Sequence, residues 1–322
     1  MRSSHARWVL LVAAGGVGVL ACSAVYDLSA LGPGAGADAG GGDAGTFGDA
    51  TQDGTTVGDG ASSSDAPLGS DGQPPLDARA DGPTKTDGGC PIGEGPAMVR
   101  AETVCIDGTE VTRGQYLKFV QSDAGAAFAP AICNWNTSFV PTAAASGDVY
   151  PWPPTTADKD YPIAFVDWCD AATYCAWAGK QLCGTVAADG GTLKYNDFTD
   201  AAASQWYQAC SRNGTQQFPY PGGYAADVCA IDVDAGGPFG VAPVGGYAGC
   251  EGGYAKIFDM VGNVYEWLDS CSGDGKSDDC SVAGGGSVAT SGVPFNMDCS
   301  EILPYGRGQP FGSIGVRCCA RP

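Results

Sequence analysis

The 322-residue chain carries 36 acidic against 16 basic side chains, a formal net charge of -20. That balance excludes nucleic acid as a partner, because phosphate contacts need a basic face. Its single histidine is His5, close to the N-terminus. The rest of the chain therefore has no imidazole for Ser-His-Asp or Cys-His catalysis, nor for ligating zinc, copper or iron.

Arg2 and Arg7 precede an apolar run, Trp8–Leu20, that ends in Val19-Leu20-Ala21-Cys22. A basic start, a short apolar core and small residues before a cut describe a bacterial signal peptide over residues 1–21. The run is too short for a transmembrane anchor and is broken by Gly15, Gly16 and Gly18. Cysteine directly after Leu-Ala is a lipobox, which makes Cys22 the lipidated N-terminus of the mature chain. The expected address is the cell envelope, with the bacterial membrane as a partner through that lipid. Ser23 carries no inner-membrane retention signal, which favours the outer membrane. Residues 22–89 hold Cys22 and then a stretch of Gly, Ala, Asp, Ser, Thr and Pro with eleven Asp and no Glu. Such a segment cannot bury enough surface to offset ordering entropy and reads as a disordered, self-repelling tether. Its Asp-Gly steps lack the regular period of a calcium-repeat protein.

Residues 90–322 read as one folded domain, with no second low-complexity break. Met98–Ile106 reads as a strand ending at Asp107-Gly108. Thr112–Ser122 reads as a helix capped by Thr112, with Tyr116, Phe119 and Val120 on one face. Ala126–Lys159 reads as an irregular loop pinned by Cys133. Tyr161–Val166 reads as a short strand. Asp167 then caps a helix over Trp168–Ala178, with Asp170 in its first turn and Gly179 as its stop. Cys169 and Cys175 share no face of that helix, so different partners are expected for them. Ala201–Ser211 reads as a third, shorter helix. From Phe218 onward Gly and aromatic residues replace helical periodicity, which predicts turns and short strands. Gly284-Gly285-Gly286-Ser287 lacks the Lys-Ser/Thr end of a phosphate loop.

The stretch around which the domain is organised is Ile257–Trp267. Asp259 and Glu266 flank the turn signal Gly262-Asn263, with backbone carbonyls between them. That is an oxygen set for a hard cation such as Ca²⁺. It is equally the pattern of a buried turn whose acids are solvated or pair with arginines. Leaving Cys22 aside, fourteen cysteines remain without CxxC clusters. In an exported chain that even number predicts up to seven disulfides.

Several blocks fall together in one order. They are Glu110-Val111-Thr112 with Gln115-Tyr116, Pro162 through Val166-Asp167-Trp168, Tyr174 through Lys180, Gln205-Trp206, Ala242-Pro243-Val244-Gly245, Asp259 through Trp267, Gly285-Gly286-Ser287, and Gly315-Val316-Arg317-Cys318. From about Cys90 to the C-terminus the chain resembles the formylglycine-generating enzyme, or sulfatase-modifying factor, family. The resemblance implies one α+β domain, a C-type-lectin-like variant poor in regular structure and rich in disulfides. Active members oxidise the cysteine of a Cys-x-Pro-x-Arg segment to formylglycine with O₂ and Cu(I) held by two thiolates. Here those thiolate positions fall at Thr290 and Phe295, neither of which binds Cu(I), so copper is not expected. The related iron-dependent sulfoxide synthases need histidines that this chain lacks.

The resemblance further implies the disulfides Cys175–Cys318 and Cys210–Cys299, the second within one position. Proximity adds Cys271–Cys280 and Cys229–Cys250. The family's second calcium site would use the side chains of Asp259 and Glu266 and the carbonyls of Gly262 and Val264. Its first site departs, because Ala230 follows Cys229 where the family has Asn, leaving Asp232 or Asp234 to substitute. Three functions stay open at this stage. One is a lipid-anchored binding or structural module for an unknown protein or glycan, with Trp135, Trp152 and Tyr305 either lining a loop surface or packing inside. The second is an active oxidase with its thiol pair relocated to Cys318-Cys319. The third is calcium-dependent glycan binding, for which the Glu-Pro-Asn type of signature is absent.

Overall fold

The computed structural model describes residues 89–142, 151–187, 192–225, 227–231, 240–286 and 297–322. The expected signal peptide, Cys22, nearly all of the expected tether, Asp232, Asp234, Thr290 and Phe295 lie outside the described residues. In chain order the elements are β1 (Met98–Ala101), β2 (Val104–Asp107), α1 (Arg113–Ser122), α2 (Gly125–Phe128), α3 (Trp168–Trp177), β3 (Gln181–Leu182), α4 (Gln205–Cys210), β4 (Tyr265–Cys271), β5 (Asp279–Ala283), β6 (Ile302–Gly306), β7 (Ile314–Gly315) and β8 (Cys318–Ala320). The fold is mixed α and β, and much of the chain between these elements is irregular.

Two four-stranded sheets carry it, in the orders β1-β2-β8-β3 and β6-β5-β4-β7. Every pairing is antiparallel except β4 with β7, where Tyr265 opposes Ile314 and Glu266 opposes Gly315. Consecutive strands β7 and β8 belong to different sheets, so the two residues between them, Val316 and Arg317, link the sheets. Both are fully buried.

The helices start where their caps dictate. Thr112 and Gln115 form a reciprocal capping box on α1, and Asp167 and Asp170 form one on α3. Each box satisfies two backbone N–H groups that the first turn would otherwise leave open. On α1, Tyr116 and Phe119 point inward; Tyr116 stacks on Tyr174 of α3 at 5.4 Å between centroids. Such aromatic pairs contribute about 0.5–1.5 kcal/mol beyond the area they bury.

Three expectations from sequence are corrected. Met98–Ile106 is a hairpin rather than one strand: Glu102 takes a φ of 53° and turns the chain between β1 and β2. Tyr161–Val166 is not a strand. Pro162 lacks an amide donor and Phe165 sits at a φ of 58°, so only a single bridge, Thr112 with Pro162, forms there. The third helix starts at Gln205, capped by Ser204, because Ser204 is engaged in a bridge with Thr185. The loop after α1 also contains α2 and a 3-10 turn at Ala131–Cys133.

The core has two main parts. One gathers Ile106, Trp206, Met260, Val261 and Leu268 between the first sheet and α4. The other gathers Tyr116, Phe119, Tyr174, Trp267, Val282 and Val316 beneath α1 and α3. Trp135, Trp152 and Tyr305 pack, partly buried, against this second part.

Seven disulfides staple these elements: Cys90–Cys105, Cys133–Cys169, Cys175–Cys318, Cys183–Cys319, Cys210–Cys299, Cys229–Cys250 and Cys271–Cys280. Cys169 and Cys175 indeed serve different partners. The adjacent Cys318 and Cys319 part as well, one toward α3 and one toward Cys183 just after β3. Alternation along β8 sends neighbouring side chains to opposite faces, which is why both bridges form.

Candidate functional site

Glu110, Trp206, Asp259, Glu266 and Arg317 meet in a buried ionic cluster. Arg317, from the link between the sheets, stands at its centre with no exposed side-chain surface. Its Nε donates to Glu266 Oε1 at 2.7 Å. One terminal nitrogen donates to the Asp107 carbonyl at 2.8 Å, and the other to the carbonyls of Phe258 at 2.8 Å and Asp259 at 3.3 Å. Glu266 is delivered by β4. Its second oxygen, Oε2, accepts the indole N–H of Trp206 from α4 at 2.6 Å. One side chain thus joins a strand of the second sheet to α4 and to the connection between the sheets.

Glu110 and Asp259 lie beside this pair. Glu110 Oε1 accepts from Asn263 Nδ2 at 2.9 Å, and Asn263 Oδ1 in turn accepts from the Ala242 amide at 2.9 Å. Asp259 Oδ2 accepts from the Gly245 amide at 2.6 Å. Asp259 and Asn263 both take left-handed backbone conformations, with φ of 58° at each, and Gly262 takes 82°. A Cβ on Gly262 would meet the Ala230 carbonyl at 2.6 Å, so the turn needs glycine there.

Charge in this cluster is unbalanced. Three buried carboxylates, Glu110, Asp259 and Glu266, face one guanidinium. Glu110 Oε2 stands 4.0 Å from an Arg317 terminal nitrogen, and the Glu110 side chain is within hydrogen-bonding reach of the Asp259 carboxyl. Burial pushes the Glu110 carboxyl well above the usual carboxylate range, and the neighbouring Asp259 charge adds to this, against the pull of Arg317. Burial likewise raises Asp259 and Glu266. Burial pulls Arg317 down, yet Glu266 and Glu110 outweigh it and hold the guanidinium charged. Two carboxyl oxygens that meet in the interior need either a shared proton or a cation between them.

Asp259 and Glu266 lie seven residues apart, with the Gly262 and Val264 carbonyls between them in the chain, but both oxygens of Glu266 are taken, by Arg317 and Trp206, and Asp259 Oδ2 is taken by the Gly245 amide. Among the described residues no three acidic, His or Cys side chains form a metal cage. A second buried pair, Lys180 Nζ with Asp107 Oδ1 at 2.6 Å, adjoins the cluster; Asp107 Oδ2 also accepts the Cys318 amide at 3.1 Å.

Residues 80–322 match the model of the sulfatase-modifying factor enzyme 1-like domain. The chain belongs to that family. It is similar to the formylglycine-generating enzyme of Bos taurus, 26% identical over 34% of this chain and 26% of that one. It is also similar to the inactive C-alpha-formylglycine-generating enzyme 2 of Bos taurus, 33% identical over 34% of this chain and 33% of that one. The chain thus spans between a quarter and a third of the length of these curated relatives. Among solved structures, one titled "Crystal Structure of CarF" aligns with a TM-score of 0.43 and 18% identity, over 71% of this chain and 97% of that one.

For the family's chemistry the thiols matter most, and here each of the fourteen cysteines from Cys90 to Cys319 is disulfide-bonded. The alternative open in the sequence, a buried turn whose acids pair with arginines, holds for Glu266 with Arg317, although the sequence did not name that arginine and did not point to Trp206 or Lys180 as partners of the acids. The only available signal was the Arg of Gly-x-Arg-Cys, a basic residue set among apolar and cysteine neighbours.

Proposed function

We propose that this chain is a non-oxidising member of the sulfatase-modifying factor family. It is an exported domain, anchored by a lipid on Cys22 to the outer membrane, that serves as a binding or structural module for a protein or glycan. The observation that carries this reading is the complete pairing of the fourteen cysteines of the folded part. Holding Cu(I) requires two soft thiolates in one place, and a disulfide sulfur is not a thiolate. The pair Cys318-Cys319, the natural place for a relocated site, is divided between two bridges. Thr290 and Phe295 stand at the family's thiolate positions and offer no soft ligand.

Calcium has a structural role in this reading. Asp259, Gly262, Val264 and Glu266 would hold it, and the ion supplies positive charge that the buried acids lack. Asp259 accepts from the Gly245 amide, and both oxygens of Glu266 accept, from Arg317 and Trp206, so binding the ion would mean exchanging those bonds.

The test is a thiol count on the full chain purified under oxidising conditions, denatured without reductant and treated with a maleimide probe. No labelled cysteine among Cys90–Cys319, together with no stoichiometric uptake of Cu(I) by the native protein, is expected. Two labelled cysteines and one tightly bound Cu(I) per chain would overturn the reading in favour of an active oxidase.

A further inference from the structure

Thirteen of the fourteen disulfide-bonded cysteines are buried; Cys271 alone is partly exposed. It ends β4, where a register shift after Trp267 loosens the ladder with β5, and it sits directly opposite Cys280. The Cys271–Cys280 bridge lines a cavity of about 470 Å³ whose other walls include Lys194, Tyr195, Ser270 and Pro304. Tyr195 is half exposed at its rim. Apart from this bridge, no disulfide of the chain combines a solvent-reachable cysteine with a cavity wall among the cavities described.

We infer that Cys271–Cys280 is a thiol–disulfide exchange site, open to a thiol-bearing ligand that enters this cavity. The incoming thiolate attacks Cys271 Sγ, the sulfur of the accessible residue, and forms a mixed disulfide with it. The Cys271–Cys280 bond breaks, and its electron pair leaves on Cys280 as a thiolate, which takes up a proton. A second thiol of the ligand, or a second ligand molecule, then attacks the mixed disulfide. The products are two cysteine thiols and one ligand disulfide, and the two electrons come from the ligand. Access selects the site, because exchange needs in-line approach to a sulfur and the other six bridges lie inside the core.

The fold around the bridge is built to survive its opening. Cys280 remains on β5, paired with β4 on one side and with Tyr305 of β6 on the other. The loop that the bridge closes is held independently: Arg307 donates to the carbonyls of Gly273 and Gly275, and its own amide donates to the Asp278 carbonyl at 2.9 Å. The Ser272 amide also donates to the Asp279 carbonyl at 2.8 Å. Cys280 therefore stays opposite Cys271, placed to displace a monothiol and close the bridge again.

The experiment exposes the native full chain to reduced glutathione in one arm and to a thioredoxin-type dithiol protein in another, then traps thiols with iodoacetamide and maps them by mass. The expected result is modification of Cys271 and Cys280 at least tenfold faster than of any other cysteine, with glutathione found on Cys271. Faster reaction with glutathione assigns the cavity to small thiols, and faster reaction with the protein dithiol assigns it to a redox partner. A Cys271→Ala/Cys280→Ala chain is expected to take up no glutathione under native conditions. Equal or earlier opening of any other bridge in the native protein overturns the inference, and it does so whether or not the double variant folds.

Discussion

Arg317 Nε stands 2.7 Å from Glu266 Oε1, and the other oxygen of the same carboxylate holds the Trp206 indole at 2.6 Å. Both charged side chains are essentially without solvent exposure. Removing one partner of such a pair leaves the other charge buried and uncompensated, at a cost of about 3–5 kcal/mol. Arg317→Met is expected to cost that much in denaturant unfolding, because it leaves three acids without their cation. Glu266→Gln, which keeps an oxygen for Trp206, is expected to cost less. Losses below about 1 kcal/mol for both variants would place the stability of the domain elsewhere than in this cluster.

Calcium is expected to raise the melting temperature of the protein and a chelator to lower it. A ligand at a hundred times its dissociation constant stabilises the native state by about 2.7 kcal/mol. Glu266→Ala should abolish the calcium response; Asp259→Ala should abolish it too while leaving the Arg317–Glu266 pair in place. Melting curves indifferent to both Ca²⁺ and chelator would remove the ion from the account.

The bridges should differ in their worth. Cys175–Cys318 closes 143 residues of sequence separation and Cys271–Cys280 closes 9. In the chain-entropy model these correspond to about 5 and about 2.5 kcal/mol. Double replacement by Ala at Cys175 and Cys318 is therefore expected to lower stability about twice as much as at Cys271 and Cys280. Equal losses in denaturant unfolding would mean that native packing, rather than loop closure, sets their value.

Asp170 supplies a pH dependence. Its carboxylate accepts from Asn136 Nδ2 at 2.8 Å and from the Asp167 amide at 3.1 Å. Burial raises its pKa well above the usual range, and the charge of Asp167 adds to the rise. Burial raises Asp167 as well. Below the ordinary aspartate value of about 3.9, both folded and unfolded chains are protonated and the group costs nothing. As pH climbs from there through the raised folded value, the unfolded chain ionises first and stability falls. Asp170→Asn keeps an oxygen for the cap and removes this term. The variant should show a flatter stability profile from pH 4 upward than the parent; parallel profiles would contradict the assignment.

The caps of α1 and α3, Thr112 and Asp167 with Asp170, were readable in the sequence because a cap is local; the reciprocal bond of Gln115 to Thr112 was found only in the structure. The turn at Gly262-Asn263 was readable for the same reason. The partners of the acids were not. Arg317 is 51 residues from Glu266, Glu110 is 153 from Asn263, and Lys180 is 73 from Asp107. No local period marks such pairs; only the fold brings them together. The strand expected at Tyr161–Val166 failed through Phe165, whose left-handed backbone is imposed by tertiary bonds such as its amide to the Phe311 carbonyl at 3.0 Å.

In the proposed function the domain keeps the family fold without the family oxidation. The most direct measurement is a peptide assay: full chain, Cu(I), O₂, reductant and a Cys-x-Pro-x-Arg peptide, read by peptide mass beside a working family enzyme. An unchanged peptide is expected with this chain, and an aldehyde with the control. Conversion of the cysteine to the aldehyde by this chain would contradict that function, and would mean that a copper-binding thiol pair forms from cysteines that the structure holds in disulfides.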